Sequence, residues 1–138
     1  MANWAWVTKV HRAIYRKTDG RVGARLAGMP MCLLTTVGRK SGLPRTLPLA
    51  CFPDGDDIIV VASNNGQDHD PAWWLNLRDQ PEAEVQLGRE RRRVTASRAT
   101  PEEHARLWPW LRQRNFAYAR YDGRTEREIP IVILRNRS

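Results

Sequence analysis

A chain of 138 residues with 41% hydrophobic and 8% aromatic residues is long enough for one domain whose core buries roughly two-thirds of the unfolded surface. No apolar run approaches the roughly 20 residues of a membrane span, and the N-terminus lacks an export-signal pattern, so a cytoplasmic location is expected. The net charge of +8 calls for an anionic partner or a solvated basic surface, and nucleic acid, an anionic membrane face and a polyanionic small ligand all fit its sign.

Residues 4–17 predict an amphipathic helix. Trp4, Val7, Val10, His11 and Ile14 share one face, with Lys9, Arg12, Arg16 and Lys17 elsewhere, a pattern for packing over a core or for lying in a membrane interface. Gly20, Gly23 and Gly28 follow, so residues 1–28 read as a helix and flexible segment within a single domain spanning 1–138. Met31 to Val37 is a continuous apolar run, the pattern of a strand buried on both faces.

The next stretch, Gly38-Arg39-Lys40-Ser41-Gly42-Leu43-Pro44-Arg45, joins this strand to the next. Gly38 and Gly42 permit backbone geometry that a side chain forbids. Arg39, Lys40 and Arg45 add three fixed cations, and exposed amides in such a turn form an anion nest. It reads as a phosphate or carboxylate site or as a solvated turn; neither G-x-x-x-x-G-K-[ST] nor G-x-G-x-x-G is present.

Arg45 to Phe52 alternates imperfectly and contains Pro48, which predicts an edge strand or a bulge. Pro53-Asp54-Gly55-Asp56 is a hairpin turn and Asp57 to Ser63 a third strand, completing an antiparallel meander. Ser63 to Asp70 is polar and rich in turn residues. A short helix is then expected, with Asp70 as N-cap and Pro71 at its first position. Its N-terminus would be a second anion site. Trp73 and Trp74 are adjacent, so one is expected to pack inward and the other to line a cleft or cover the sheet.

Ala83–Leu87 and Glu90–Ala99 predict a hairpin about Gly88. Its cluster of Arg89, Arg91, Arg92 and Arg93 suits a charged strand edge that resists aggregation. Thr100-Pro101-Glu102-Glu103 is a capping box opening a helix to about Arg114, with Leu107, Trp108 and Leu111 towards the core. An aromatic stretch, 115–121, precedes a last buried strand, Ile129 to Leu134. Cys32 and Cys51 read as buried reduced thiols rather than a disulfide, and His11, His69 and His104 show no metal-ligand spacing. About six mostly antiparallel strands with peripheral helices predict a mainly β fold, a small barrel with α additions.

Four segments in register give the chain a specific resemblance. They are Leu33 to Arg45, Val61-Ala62-Ser63-Asn64-x-Gly66, Pro71-x-Trp73-Trp74-Leu75-Asn76-Leu77, and a C-terminal set. That last set comprises Trp108-Pro109, Tyr118, Tyr121, Arg127 and Ile129-Pro130-Ile131-Val132. Together they resemble the deazaflavin-dependent nitroreductase family of actinobacteria, split β-barrel enzymes (of the FMN-binding split-barrel type) that use coenzyme F420.

The resemblance implies that Arg39, Lys40, Ser41, Gly42, Pro44 and Arg45 hold the cofactor's phosphate and oligoglutamate tail, a polyanion that Arg can grip through paired bonds. It also implies that Thr35, Ser63, Asn64 and the segment Ala72, Trp73, Trp74, Leu75 and Asn76 surround the ring. Ser63, Tyr118 and Tyr121 fall at the positions associated with substrate and catalysis. The reaction implied is hydride transfer from F420H2 to a quinone-like or other electron-poor acceptor, in a monomer or homodimer, without nucleic acid. The basic first helix would suit peripheral contact with the inner face of the membrane.

Two positions depart from nitroimidazole-reducing members, with Asn115 in place of a Tyr and Asn64 in place of a Lys, so the substrate pocket differs. The alternatives are an FMN-binding split-barrel oxidoreductase, or a cofactor-binding or nucleic-acid-binding module without turnover.

Overall fold

The computed structural model describes residues 25–26, 29–64, 67, 69–115, 118 and 128–137. The helix expected over 4–17, the glycine segment after it and Tyr121 lie outside the described residues. Among those described are eight strands and two helices. In chain order they are β1 (Arg25–Leu26), β2 (Met29–Val37), β3 (Pro44–Ala50), β4 (Phe52–Asp54), β5 (Asp57–Val61) and α1 (Ala72–Asp79), followed by β6 (Glu82–Leu87), β7 (Glu90–Arg98), α2 (Pro101–Arg114) and β8 (Ile131–Asn136).

All strand pairings are antiparallel, and the main path runs β2-β6-β7-β8-β5-β4. Its two ends meet because β3 and β4 are halves of one bent strand. The first half pairs with β2 from Val37↔Pro44 to Met31↔Ala50, and the second pairs with β5 from Phe52↔Ile59 to Asp54↔Asp57. Between them the Cys51 amide donates to Pro30 O at 3.0 Å, continuing the β2 ladder past the bend. The sheet therefore curls into a barrel of the split type, with a gap where β3 leaves β5.

Pro48 fits this register without a bulge. Counting from the Cys51–Pro30 bond, the pairs Cys32/Leu49, Leu34/Leu47 and Thr36/Arg45 are the hydrogen-bonded ones, so Pro48, opposite Leu33, turns its nitrogen away from β2. Its missing donor costs the ladder nothing. The turns Gly55-Asp56 and Gly88-Arg89 each put glycine at φ +62° in the first central position, as a two-residue II′ hairpin requires.

Alternation along β5 and β8 divides the apolar residues between two cores. Ile58, Val60, Val132 and Leu134 face the barrel interior with Cys32, Leu34, Val85 and Val94. Ile59, Val61, Ile131 and Ile133 face outward, where Leu107 and Leu111 of α2 cover them together with Phe52 and Tyr118. Burial of each such side chain is worth about 1.5–3 kcal/mol. The thiols of Cys32 and Cys51 are free and buried; a hydrogen bond to Cys51, and then burial, push the Cys32 thiol well above its usual range.

Two expectations are corrected in detail. Pro71, not Asp70, is the N-cap of α1, and the helix begins at Ala72. The last strand begins at Ile131, after Pro130. Trp73 and Trp74 both pack in the interior core, at 6% and 5% exposure, and of the two Trp73 also lines a cleft, the division expected of the pair. At about 100° per residue Leu77 falls between them on the helix, so the three form one apolar arc over the barrel mouth. The capping box of α2 is present in full: Thr100 Oγ1 accepts from the Glu103 amide at 3.2 Å, and Glu103 Oε1 accepts from the Thr100 amide at 3.0 Å. Among the described residues, no helix is long and apolar enough to cross a membrane.

Candidate functional site

The gap beside β3 is a cleft of about 730 Å³, within the size range of sites for cofactors and other small ligands. Its basic end is the β2–β3 turn. The Gly38 amide donates to Leu43 O and the Gly42 amide to Gly38 O, both at 2.8 Å, while Ser41 Oγ accepts from the Leu43 amide at 3.1 Å. Gly42 sits at φ +71°. At Gly38 an added Cβ would lie 2.7 Å from Ser41 Oγ and 3.0 Å from Leu43 O, so a side chain there would displace Ser41 and press on the turn's backbone. The same point lies 3.6 Å from Arg45 Nε, which places the Arg45 side chain against the turn.

Arg39, Lys40, Ser41 and Arg45 line this end of the cleft. Asn76 of α1 ties the turn down. Its Oδ1 accepts from the Arg39 amide at 3.1 Å and from Arg39 Nη1 at 3.2 Å, and its Nδ2 donates to Thr36 Oγ1 at 3.2 Å. Lys40 and Arg45 have no acidic partner among the described residues. Uncompensated cations facing a cleft form an anion site.

The floor is apolar, formed by Leu47, Pro48 and Leu49 along the unpaired edge of β3 and by Val61 and Trp73 opposite. Ser63, Asn64 and Ala72 complete that side. Asn64 is the one non-glycine residue at positive φ (49°) among those described, and its Nδ2 donates to His69 O at 3.1 Å. An αL residue with its side chain bonded locally is a usual role for asparagine.

The structure thus brings together Arg39, Lys40, Ser41, Arg45, Ser63, Asn64, Ala72, Trp73 and Asn76 of the expected residues. Others lie apart. Thr35 bonds Thr46 through their hydroxyls at 2.8 Å and borders a smaller cleft with Glu84 and Arg93. Pro44 closes the base of the turn opposite Val37, and Gly42 shapes it without lining the cleft. Leu75 is half-buried outside the lining. Trp74 packs into the barrel, and its indole N–H has no partner among the described residues. Tyr118 is 4% exposed in the outer core, stacked on Trp108 at 5.8 Å and edge-on to Phe52 at 6.2 Å. Asn115 is the C-cap of α2. Sequence reasoning missed the floor residues Leu47 and Leu49; Pro48 had marked β3 as an edge strand, and the free side of that edge is where the cleft opened.

A curled split barrel whose cleft has a cationic end and an apolar floor has the character of a site for an anionic cofactor with an apolar body. The family model described as F420H(2)-dependent quinone reductase matches residues 6–136. An F420H(2)-dependent quinone reductase of Mycobacterium tuberculosis (strain H37Rv) is 41% identical over 133 residues, covering 94% of this chain and 89% of that one. Among solved structures, an F420-H2 dependent reductase aligns with TM-score 0.70 at 33% identity, over 76% of this chain and 93% of that one. A chain described as a domain-swapped dimer aligns with TM-score 0.72 at 31% identity, over 94% and 96%. The chain belongs to the F420H(2)-dependent quinone reductase family, and is an oxidoreductase of the kind whose cofactor is coenzyme F420.

Proposed function

We propose that this chain uses its cleft to hold F420H2 and reduces a quinone-like or other electron-poor organic acceptor. The observation that supports this most directly is the cleft's polarity, with Lys40 and Arg45, which have no acidic partner among the described residues, at one end and an apolar floor of Leu47, Leu49 and Trp73 beyond them. A cofactor with an anionic tail and a flat ring matches both ends. Arg39, Lys40 and Arg45 would bind the tail as cations, with Ser41 and the turn amides donating hydrogen bonds. Gly42 and Pro44 would act by shaping that turn. Ser63, Asn64, Ala72 and Trp73 would border the ring, Trp74 and Leu75 would support that wall from the same helix, and Thr35 would act through Thr46, the cleft residue its hydroxyl bonds.

When bound, the reduced deazaflavin supplies a hydride from C5. The chain's share is to hold ring and acceptor in one orientation and to offer Ser63 Oγ as a hydrogen-bond donor to charge developing on the acceptor. Tyr118 and Tyr121 are the further acceptor-side candidates by resemblance. The burial and stacking of Tyr118 favour a packing role, and Tyr118→Phe decides the matter: an unchanged turnover removes its hydroxyl from the chemistry. We also take 1–138 as one domain with peripheral membrane contact through residues 4–17. Sedimentation with anionic vesicles tests that contact, and light scattering tests monomer against dimer.

Purified protein should oxidise F420H2 in the presence of a quinone and bind F420 in preference to FMN. Binding of FMN with no affinity for F420 would overturn the assignment in favour of a flavin-dependent split-barrel enzyme.

A further inference from the structure

Asn76 does more than border the cleft. It is 5% exposed, and both polar atoms of its side chain are spent on β2 and the turn that follows. Oδ1 takes the backbone and guanidinium donors of Arg39 at 3.1 and 3.2 Å, and Nδ2 reaches Thr36 Oγ1 at 3.2 Å. Its own position is fixed by α1, which is anchored in the barrel through Trp73, Trp74 and Leu77. Arg39 is the only one of the three cleft cations held in this way; Lys40 and Arg45 have no partner among the described residues.

We propose that Asn76 is a positioning residue acting through Arg39, a neutral anchor that fixes the guanidinium at the cleft before the anionic part of the cofactor arrives. The inference rests on the F420 reading above. Neutrality is the key property. A carboxylate there would accept the same two bonds from Arg39 and could still meet the Thr36 hydroxyl, but it would cancel the charge that the cleft presents. An amide orients the cation and leaves its charge free for the ligand. Fixing the side chain beforehand also removes part of the ordering cost of binding.

The test is F420 affinity across a range of KCl concentrations for wild type, Asn76→Ala, Asn76→Asp, Arg39→Ala and Asn76→Ala/Arg39→Ala. Asn76→Ala should weaken F420 binding about tenfold and should have no further effect once Arg39 is removed, the non-additivity expected of residues acting in series. Asn76→Asp, which can retain the fold and the contacts, should weaken binding and flatten its salt dependence to that of Arg39→Ala. Independent losses that multiply in the double variant would overturn the inference. So would Asn76→Asp binding as tightly as wild type with the same salt dependence. If Asn76→Ala does not fold, Asn76→Asp decides alone. Failure of the wild-type chain to bind F420 at all would overturn the functional reading, and this inference with it.

Discussion

Most arginines of the described surface already have work to do. Arg92 binds Glu90 at 2.9 Å, Arg106 reaches Asp54 at 3.5 Å, and Arg135 bridges Glu103 and Asp57 at 3.2 and 3.7 Å. Such exposed pairs contribute at most about 1 kcal/mol each. Lys40 and Arg45 have no carboxylate partner among the described residues and also line the larger cleft, which the arginine-rich hairpin does not, so that cleft is read as the anion site. Replacing either by Ala should weaken F420 binding about tenfold at low salt, and less as salt rises; isothermal titration in two buffers measures both effects. Gly38→Ala should destabilise the chain by about 1–3 kcal/mol in chemical denaturation, since Leu43 O cannot yield without opening the turn. The cations, glycines and Ser63 were legible as residue types in a turn. Which of their neighbours reach the cleft was not, because Thr35 and Tyr118 differ from cleft residues only in the face they turn to it.

Helix α2 shows how far local signals extend. Its capping box is written in four consecutive residues and forms as written, so Thr100→Ala should cost about 1 kcal/mol of stability by thermal or urea denaturation. The bond from the Thr100 amide, aided by Arg135, holds the Glu103 carboxyl below the usual carboxylate range. A carboxyl whose folded value is depressed stabilises the fold above its unfolded value of about 4.5, and that contribution disappears as pH falls through the folded value. Glu103→Gln should therefore flatten the loss of stability below about pH 4.5 without changing its course near neutrality. Pro109 works against the same helix. It lies inside α2 and is exposed, and it removes the donor that would bond the exposed Ala105 carbonyl. Pro109→Ala should raise stability, by up to about 3 kcal/mol. Boundaries were less legible: α1 starts one residue later than its Asp-Pro signal suggests, because proline here takes the cap position with extended backbone (ψ 151°).

Across the whole molecule, the sequence showed the strands and withheld their neighbours. Hairpins such as β6–β7 are local and follow from Gly88. Placing β8 between β5 and β7, and β6 against β2, depends on pairings far apart in sequence that no local pattern encodes. The bend at Cys51, which lets one strand serve both ends of the sheet, is the feature that opens the cleft, and only Pro48 hinted at it. We infer that this opening holds F420 by its anionic tail. The most direct measurement compares the affinity of the chain for F420 with its affinity for the same deazaflavin lacking the phosphate and glutamate tail, in wild type and in Arg45→Ala. The wild-type chain should prefer the tailed cofactor by about a hundredfold, and Arg45→Ala should lose much of that preference. Equal affinity of the wild type for both molecules would contradict the assignment of the cationic turn.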